Sequence, residues 1–282
     1  MVKALIILIL AAAIFGSAGY YTYQTIWKPK IELQAEIDAP VAPLPPPPPD
    51  LSLPEFRKVK KIKEEGDLLA ARNAYLDFLD RYPQSTAVRE AKADLGQINT
   101  DIFFSQIEAP EKIDYVVKSG DTLIGIASKT DTTTELIMRS NDLESIRINI
   151  GDRYLIPQPD FAMIIDREDR TVTLYDHGRF FKEYAVQNWN IPTSKSRAAV
   201  QGKVAEKIAW KDGKRLRIGD PEYSASARWV MTTLSGITLY SAPAEGIEVP
   251  APDIPPGGLG IAFPDMDEIA VLVRRGTPIT LK

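Results

Sequence analysis

Hydrophobic and polar positions follow four different rhythms along this chain. From Ala4 to Trp27 there is no charge, and Ala4–Phe15 is apolar almost without a break. About twenty apolar residues span a bilayer, and Tyr20, Tyr21, Tyr23 and Trp27 stand where an interfacial aromatic belt would. The pattern predicts an N-terminal transmembrane helix within 1–27. A cleaved signal peptide is the competing reading, with Lys3 as its charged start and Gly16-Ser17-Ala18 as the small-residue cleavage site. Either sends the rest of the chain out of the cytoplasm. The rhythm then lapses over 28–50, where Asp38–Asp50 reads DAPVAPLPPPPPD. Such a linker favours extended polyproline II, and at about 3.1 Å per residue the whole stretch Lys28–Asp50 would reach roughly 70 Å.

A helical period takes over at Leu53–Phe104. Leu68, Ala71, Tyr75, Phe78, Leu79 and Tyr82 recur on one face, Pro83 stops that helix, and Val88, Ala91, Leu95 and Ile98 line the next. Residues 51–106 are therefore expected to form a helical hairpin. Over 113–158 the pattern is strand, helix, helix, strand. Tyr115-Val116-Val117 runs into the turn Ser119-Gly120-Asp121, and Leu123, Ile126 and Ala127 then share a face. Thr132 or Thr133 can cap a helix that ends near Asn141, and Arg153–Ile156 closes at Pro157. From 161 to 282 the period is two. Strands are expected at Ala162–Asp166, Thr171–Tyr175 and Arg179–Val186, and within Gly202–Ile218, Arg228–Met231, Ile237–Tyr240 and Ile279–Leu281.

Three segments resemble known families. The YxVxxGDTLxxIA opening, the asparagine after the second helix and the I-x-x-G-D-x-Y-x-I-P ending make 113–158 similar to the LysM family. That resemblance implies a surface for the N-acetylglucosamine-containing glycan of peptidoglycan or chitin. It points to Gly120, Asp121 and Thr122 after the first strand, and to Ile148, Asn149 and Ile150 before the second. The run A-x-x-x-Y-x-x-F-L-x-x-Y-P-x-S upstream resembles one tetratricopeptide-like repeat. A solenoid needs about three repeats to bury its faces, so one unit is expected to serve as a spacer or as a docking pad for the LysM module.

The last segment looks like an L,D-transpeptidase (YkuD-like) domain. Its opening I-I-D-R-x-x-R-T-V-T-L-Y-D-H-G-R-F-F-K-x-Y, its middle Ile218-Gly219-Asp220-Pro221-Glu222, and its ending from Asp265 to Ile279 carry the likeness. That family's chemistry uses a cysteine thiolate nucleophile, a histidine base and a backbone oxyanion site, with an arginine beside them. The chain has no cysteine and one histidine. Aligned without gaps from Gly276-Thr277-Pro278, Gly258 stands at the cysteine position and Gly260 at the arginine position. A two-residue shift puts Gly260 at the cysteine position instead. Tyr240 replaces the histidine, and His177 falls in a D-H-G turn. Ser241 or Ser235 as substitute nucleophile would need a base. Losing the nucleophile of a coupled site typically costs on the order of 10⁶ in rate.

Composition narrows the rest. With 282 residues and 44% hydrophobic residues the chain can bury more than one core. A net charge of −4 without a basic cluster argues against nucleic acid as partner. Nothing implies a cofactor or a metal. The expected fold class is multidomain α+β: N-terminal transmembrane helix, helical hairpin, βααβ LysM module and β-rich L,D-transpeptidase-like domain. The expected protein sits in the bacterial inner membrane through residues 4–27, faces the periplasm and binds peptidoglycan glycan. Its last domain is expected to be catalytically dead, with a wall-synthesis enzyme as a further partner. Two alternatives stand beside this. One is an active transpeptidase with a non-standard nucleophile, and the other is an interaction scaffold whose module no longer binds glycan.

Overall fold

The computed structural model describes residues 2–38, 50–191, 198–243, 255 and 257–282. The proline run at 39–49 lies outside the described residues, as does Pro256. Two compact units are present, Met1–Pro49 and Asp50–Lys282.

In the first unit, helix α1 (Val2–Thr22) continues through a π-helical turn at Tyr23–Trp27 into α2 (Lys28–Asp38). The helical stretch Lys28–Asp38 corrects the extended chain expected there. Glu, Leu, Gln and Ala are good helix formers, and Lys28 pairs with Glu32 one turn on, 3.9 Å away. A second correction concerns the anchor. Among the described residues, no helix is long and apolar enough to cross a membrane. The purely apolar run is only Ala4–Phe15, about 18 Å of helix, set against a hydrocarbon core of about 30 Å.

The second unit begins with three helices, α3 (Leu53–Glu64), α4 (Leu68–Arg81) and α5 (Val88–Phe103). Asp67 caps α4 through Ala70 N–H at 2.9 Å. Phe56, Tyr75, Phe78, Leu95 and Ile98 form a shared core. The inner face of α5 docks on the last domain. Asn99 donates to Phe181 O at 2.7 Å, and Phe103 joins Phe161 and Phe181 with ring centroids 4.9–5.9 Å apart. The helices thus meet the β domain chiefly, with Arg139 of the LysM-like module stacked over Phe104 at 4.1 Å.

Strands β1 (Lys112–Val116) and β2 (Arg153–Pro157) pair antiparallel, with α6 (Leu123–Lys129) and α7 (Thr134–Ser140) between them. Each helix starts at a threonine cap: Thr122 accepts from Gly125 N–H, and Thr133 from Leu136 N–H, both at 3.0 Å. Asn141 ends α7 and holds β2 from both sides, donating to Leu155 O at 3.0 Å and accepting Leu155 N–H at 2.9 Å. That two-way bond is the physical reason for an asparagine there.

The last domain is a nine-stranded sheet closed on itself. The strands are β3 (Phe161–Asp166), β4 (Thr171–Asp176), β5 (Arg179–Asn190), β6 (Val200–Lys211), β7 (Lys214–Leu216), β8 (Ala227–Thr232), β9 (Thr238–Ala242), β10 (Gly258–Ala262) and β11 (Pro278–Leu281). Their order is β11-β3-β4-β5-β10-β9-β8-β6-β7, and β11 also pairs with the start of β6. Helix α8 (Phe263–Leu272) packs against β8, β9 and β10, with Met266 and Ile269 fully buried. The core runs on into the neighbours, taking in Phe103 of α5 and Leu136 of α7.

Candidate functional site

The loop after β1 and the loop before β2 are two copies of one device. In the first, Asp121 N–H donates to Lys118 O at 3.1 Å. The Asp121 carboxylate accepts Lys118 N–H at 2.9 Å and Tyr115 O–H at 2.8 Å. In the second, Asp152 N–H donates to Asn149 O at 3.1 Å. Its carboxylate accepts Asn149 N–H at 2.8 Å and Tyr154 O–H at 2.9 Å. The third residue of each turn needs positive φ, and glycine supplies it: Gly120 at +85° and Gly151 at +94°. Val117 ties the turns together, donating to Asp152 O and accepting from Gly151 N–H, each at 2.9 Å. Gly120, Asp121, Thr122, Ile148, Asn149 and Ile150 thereby share one edge.

They do not share one role. Asp121 is consumed by the turn. Lys129 at 2.8 Å, Lys118 N–H and Tyr115 O–H together hold its carboxyl down to about 2. Ile148 packs partly into the module's core. The groups that face solvent are the Gly120 backbone, Thr122, Asn149 and Ile150, the last 72% exposed. A small edge of peptide groups, a hydroxyl, an amide and an aliphatic side chain can hydrogen-bond acetamido and hydroxyl groups and cover the apolar face of a sugar. Tyr115 and Tyr154 both fall inside the sequence motifs that carried the resemblance, but their hydrogen bonds to Asp121 and Asp152 did not follow from the pattern.

The position expected for transpeptidase chemistry is β10 beside β9. The two are parallel, with Gly260 opposite Tyr240, and β10 pairs with β5 on its other side, Gly260 opposite Asn188. Gly258 has φ +134°, and a Cβ there would lie 2.0 Å from Thr238 O. A Cβ at Gly260 would meet Asn188 Cβ at 2.9 Å and the Tyr240 hydroxyl at 3.0 Å. Both glycines are therefore close approaches of backbone. Tyr240 is buried, and Ser241 Oγ accepts Arg228 N–H at 2.9 Å. His177 sits on the β4–β5 turn with φ 49°, its Nδ1 2.9 Å from Asp176. Asn188, which fills the space above Gly260, was not legible in the sequence, because only strand register brings it there.

Compared with family models, residues 115–157 match the LysM domain. This chain carries a LysM domain. Its cap threonines, its paired aspartate turns and the Asn141 bond to β2 all belong to that stretch. Among solved structures the chain is similar to L,D-transpeptidase 1 of Mycobacterium tuberculosis, at 13% identity and a TM-score of 0.29, over 47% of this chain and 68% of that one. An L,D-transpeptidase of Mycobacterium smegmatis gives 13% and 0.30 over 48% and 64%. One from Stackebrandtia nassauensis gives 13% and 0.29 over 44% and 55%. The chain thus spans little more than half to two thirds of those proteins. No curated protein matches it.

Proposed function

We propose that the chain is a peptidoglycan-binding protein of the bacterial cell envelope whose last domain performs no transpeptidation. The observation that carries the first half is the LysM domain at 115–157, with its two turns tied by Val117 into one exposed edge. LysM domains bind N-acetylglucosamine glycans, and Gly120, Thr122, Asn149 and Ile150 are the proposed contacts. Co-sedimentation of the chain with purified sacculi tests this. Binding is expected, and Ile150→Glu should weaken it by roughly tenfold, about 1.4 kcal/mol, without a change in thermal midpoint, because Ile150 is exposed. A chain that stays in the supernatant overturns the reading and favours a protein-interaction scaffold.

Inactivity is supported by the chemistry of the β9–β10 pair. Two glycines and a buried tyrosine stand at the positions where the resemblance asks for thiolate, guanidinium and imidazole. Incubation with peptidoglycan fragments should leave the protein mass unchanged. A covalent acyl adduct, or a new cross-link among the fragments, sinks the proposal.

We further propose export to the periplasm through Ala4–Phe15, whose length suits the apolar region of a signal peptide. An envelope fraction should then yield a mature chain starting near Gly19. A partner among wall-synthesis enzymes is proposed for the last domain, and it should be recovered by cross-linking in cells.

A further inference from the structure

The connection between α5 and β1 is not a loose linker. Lys112 N–H donates to Ala109 O at 2.9 Å, and its ammonium reaches back to Ser105 O at 2.5 Å. Glu111 is held from two sides, its carboxylate by Arg72 and its carbonyl by Gln158 N–H at 2.8 Å. Residues 105–111 are thereby pinned beside the β1–β2 sheet. Tyr154 and Ile156 point into the core shared with α6 and α7, so Arg153 and Leu155 face the other way. Between that outer face and the pinned segment lies a cleft of about 630 Å³, a usual size for a small-ligand site. Asp114 and Arg153 form an ion pair across its floor beside Leu155. Gln106, Glu108 and Pro110 make its wall. Among the described residues the side chains of Gln106 and Glu108 have no partner, and both are exposed. The charges balance, Glu108 and Asp114 against Lys112 and Arg153.

We propose that this cleft takes the next sugar units of a glycan strand held on the LysM edge. The inference rests on the glycan-binding reading and lengthens its site. Continuity carries it. Arg153 directly follows Asp152, whose carboxylate holds Asn149 N–H at 2.8 Å. On the other strand Val116, opposite Arg153, precedes Val117, which ties the two turns. A strand of sugars leaving Asn149 along β2 enters the cleft. Hydroxyl and acetamido groups are uncharged, and they both donate and accept. The unpartnered amide of Gln106 and carboxylate of Glu108 match them, while Pro110 and Leu155 offer apolar surface to a ring face. A cleft without net charge has no such fit to a phosphate polymer. Because the wall is pinned in advance, little ordering opposes binding. The stretch that matches the LysM family, 115–157, holds Arg153 and Leu155 but none of the wall. The wall is what this chain adds.

Calorimetric titration of the full chain with peptide-free glycan fragments of peptidoglycan, a disaccharide and a strand several times longer, tests the proposal. Gln106→Ala combined with Glu108→Ala is expected to weaken binding of the long strand about tenfold and to leave the disaccharide's affinity unchanged. Glu108→Gln, which keeps a planar acceptor, should retain most of the long strand's affinity. Equal losses on both fragments, or no loss on the long one, overturn the cleft while the LysM reading stands. If neither fragment binds the parent chain, both fall together.

Discussion

Gly258 and Gly260 show how much one atom decides. At φ +134°, with Thr238 O in the space a Cβ would occupy, position 258 admits glycine alone, since a side chain there is both strained and in collision. Placing a thiol there by Gly258→Cys is therefore expected to lower stability by at least about 3 kcal/mol, read as a fall in the denaturant midpoint, and to give no acyl transfer. A variant as stable as the parent would mean that β10 moves freely away from β9. The sequence already showed that no cysteine is present and that the one histidine lies at 177. It did not announce that the space had been closed as well.

At the junction of α5 and β1, Lys112 replaces a local cap with a long-range one. Its ammonium reaches back to donate to Ile102 O at 2.6 Å and Ser105 O at 2.5 Å, satisfying carbonyls that a helix end leaves open. Burial pushes its pKa down to about 8, with Glu111 opposing and Arg72 assisting that shift. Since the unfolded chain holds the proton to about 10.4, unfolding takes up a proton between those values. Stability relative to Lys112→Met is thus expected to rise as pH climbs from about 8 to about 10.4, and to be flat below about 7. Thermal midpoints of both proteins across that window check the sign. A difference that shrinks with rising pH contradicts it. Helix existence at α4 and α5 was legible from periodicity and from Asp67. The partner of α5 was not, because Asn99 and Phe103 meet β5 some eighty residues later.

The second unit, Asp50–Lys282, joins helices, LysM domain and β domain through a few polar ties set into a continuous core. Asp267 is the hinge of this arrangement, between Arg228 of the β domain and Arg139 of the LysM domain. Arg228, 6% exposed, also stacks over Tyr223 at 4.1 Å. Removing one partner of a buried pair costs about 3–5 kcal/mol because the other charge stays behind. Calorimetric unfolding of the unit is expected to be a single transition that Asp267→Ala splits into two, the LysM domain melting apart from the barrel. A single undivided transition in the variant would mean that the apolar contacts of Leu136 and Phe103 suffice.

The βααβ module, its turns and its caps can all be read from the amino-acid order alone. Each is written in residues close together in the chain: a glycine where φ must be positive, a threonine three residues before the N–H it caps, an aspartate beside the turn it closes. Local pattern misled at two places, in an apolar start shorter than a bilayer is thick and in a linker whose first half is helix. Folding in three dimensions settled which candidate residues face solvent, since Asp121 and Ile148 are spent on the turn and the core. It also brought Asn188 over Gly260 and Gly219 against Ile146. Register and closure join residues far apart in sequence, and no local pattern of apolar and polar positions records those pairings.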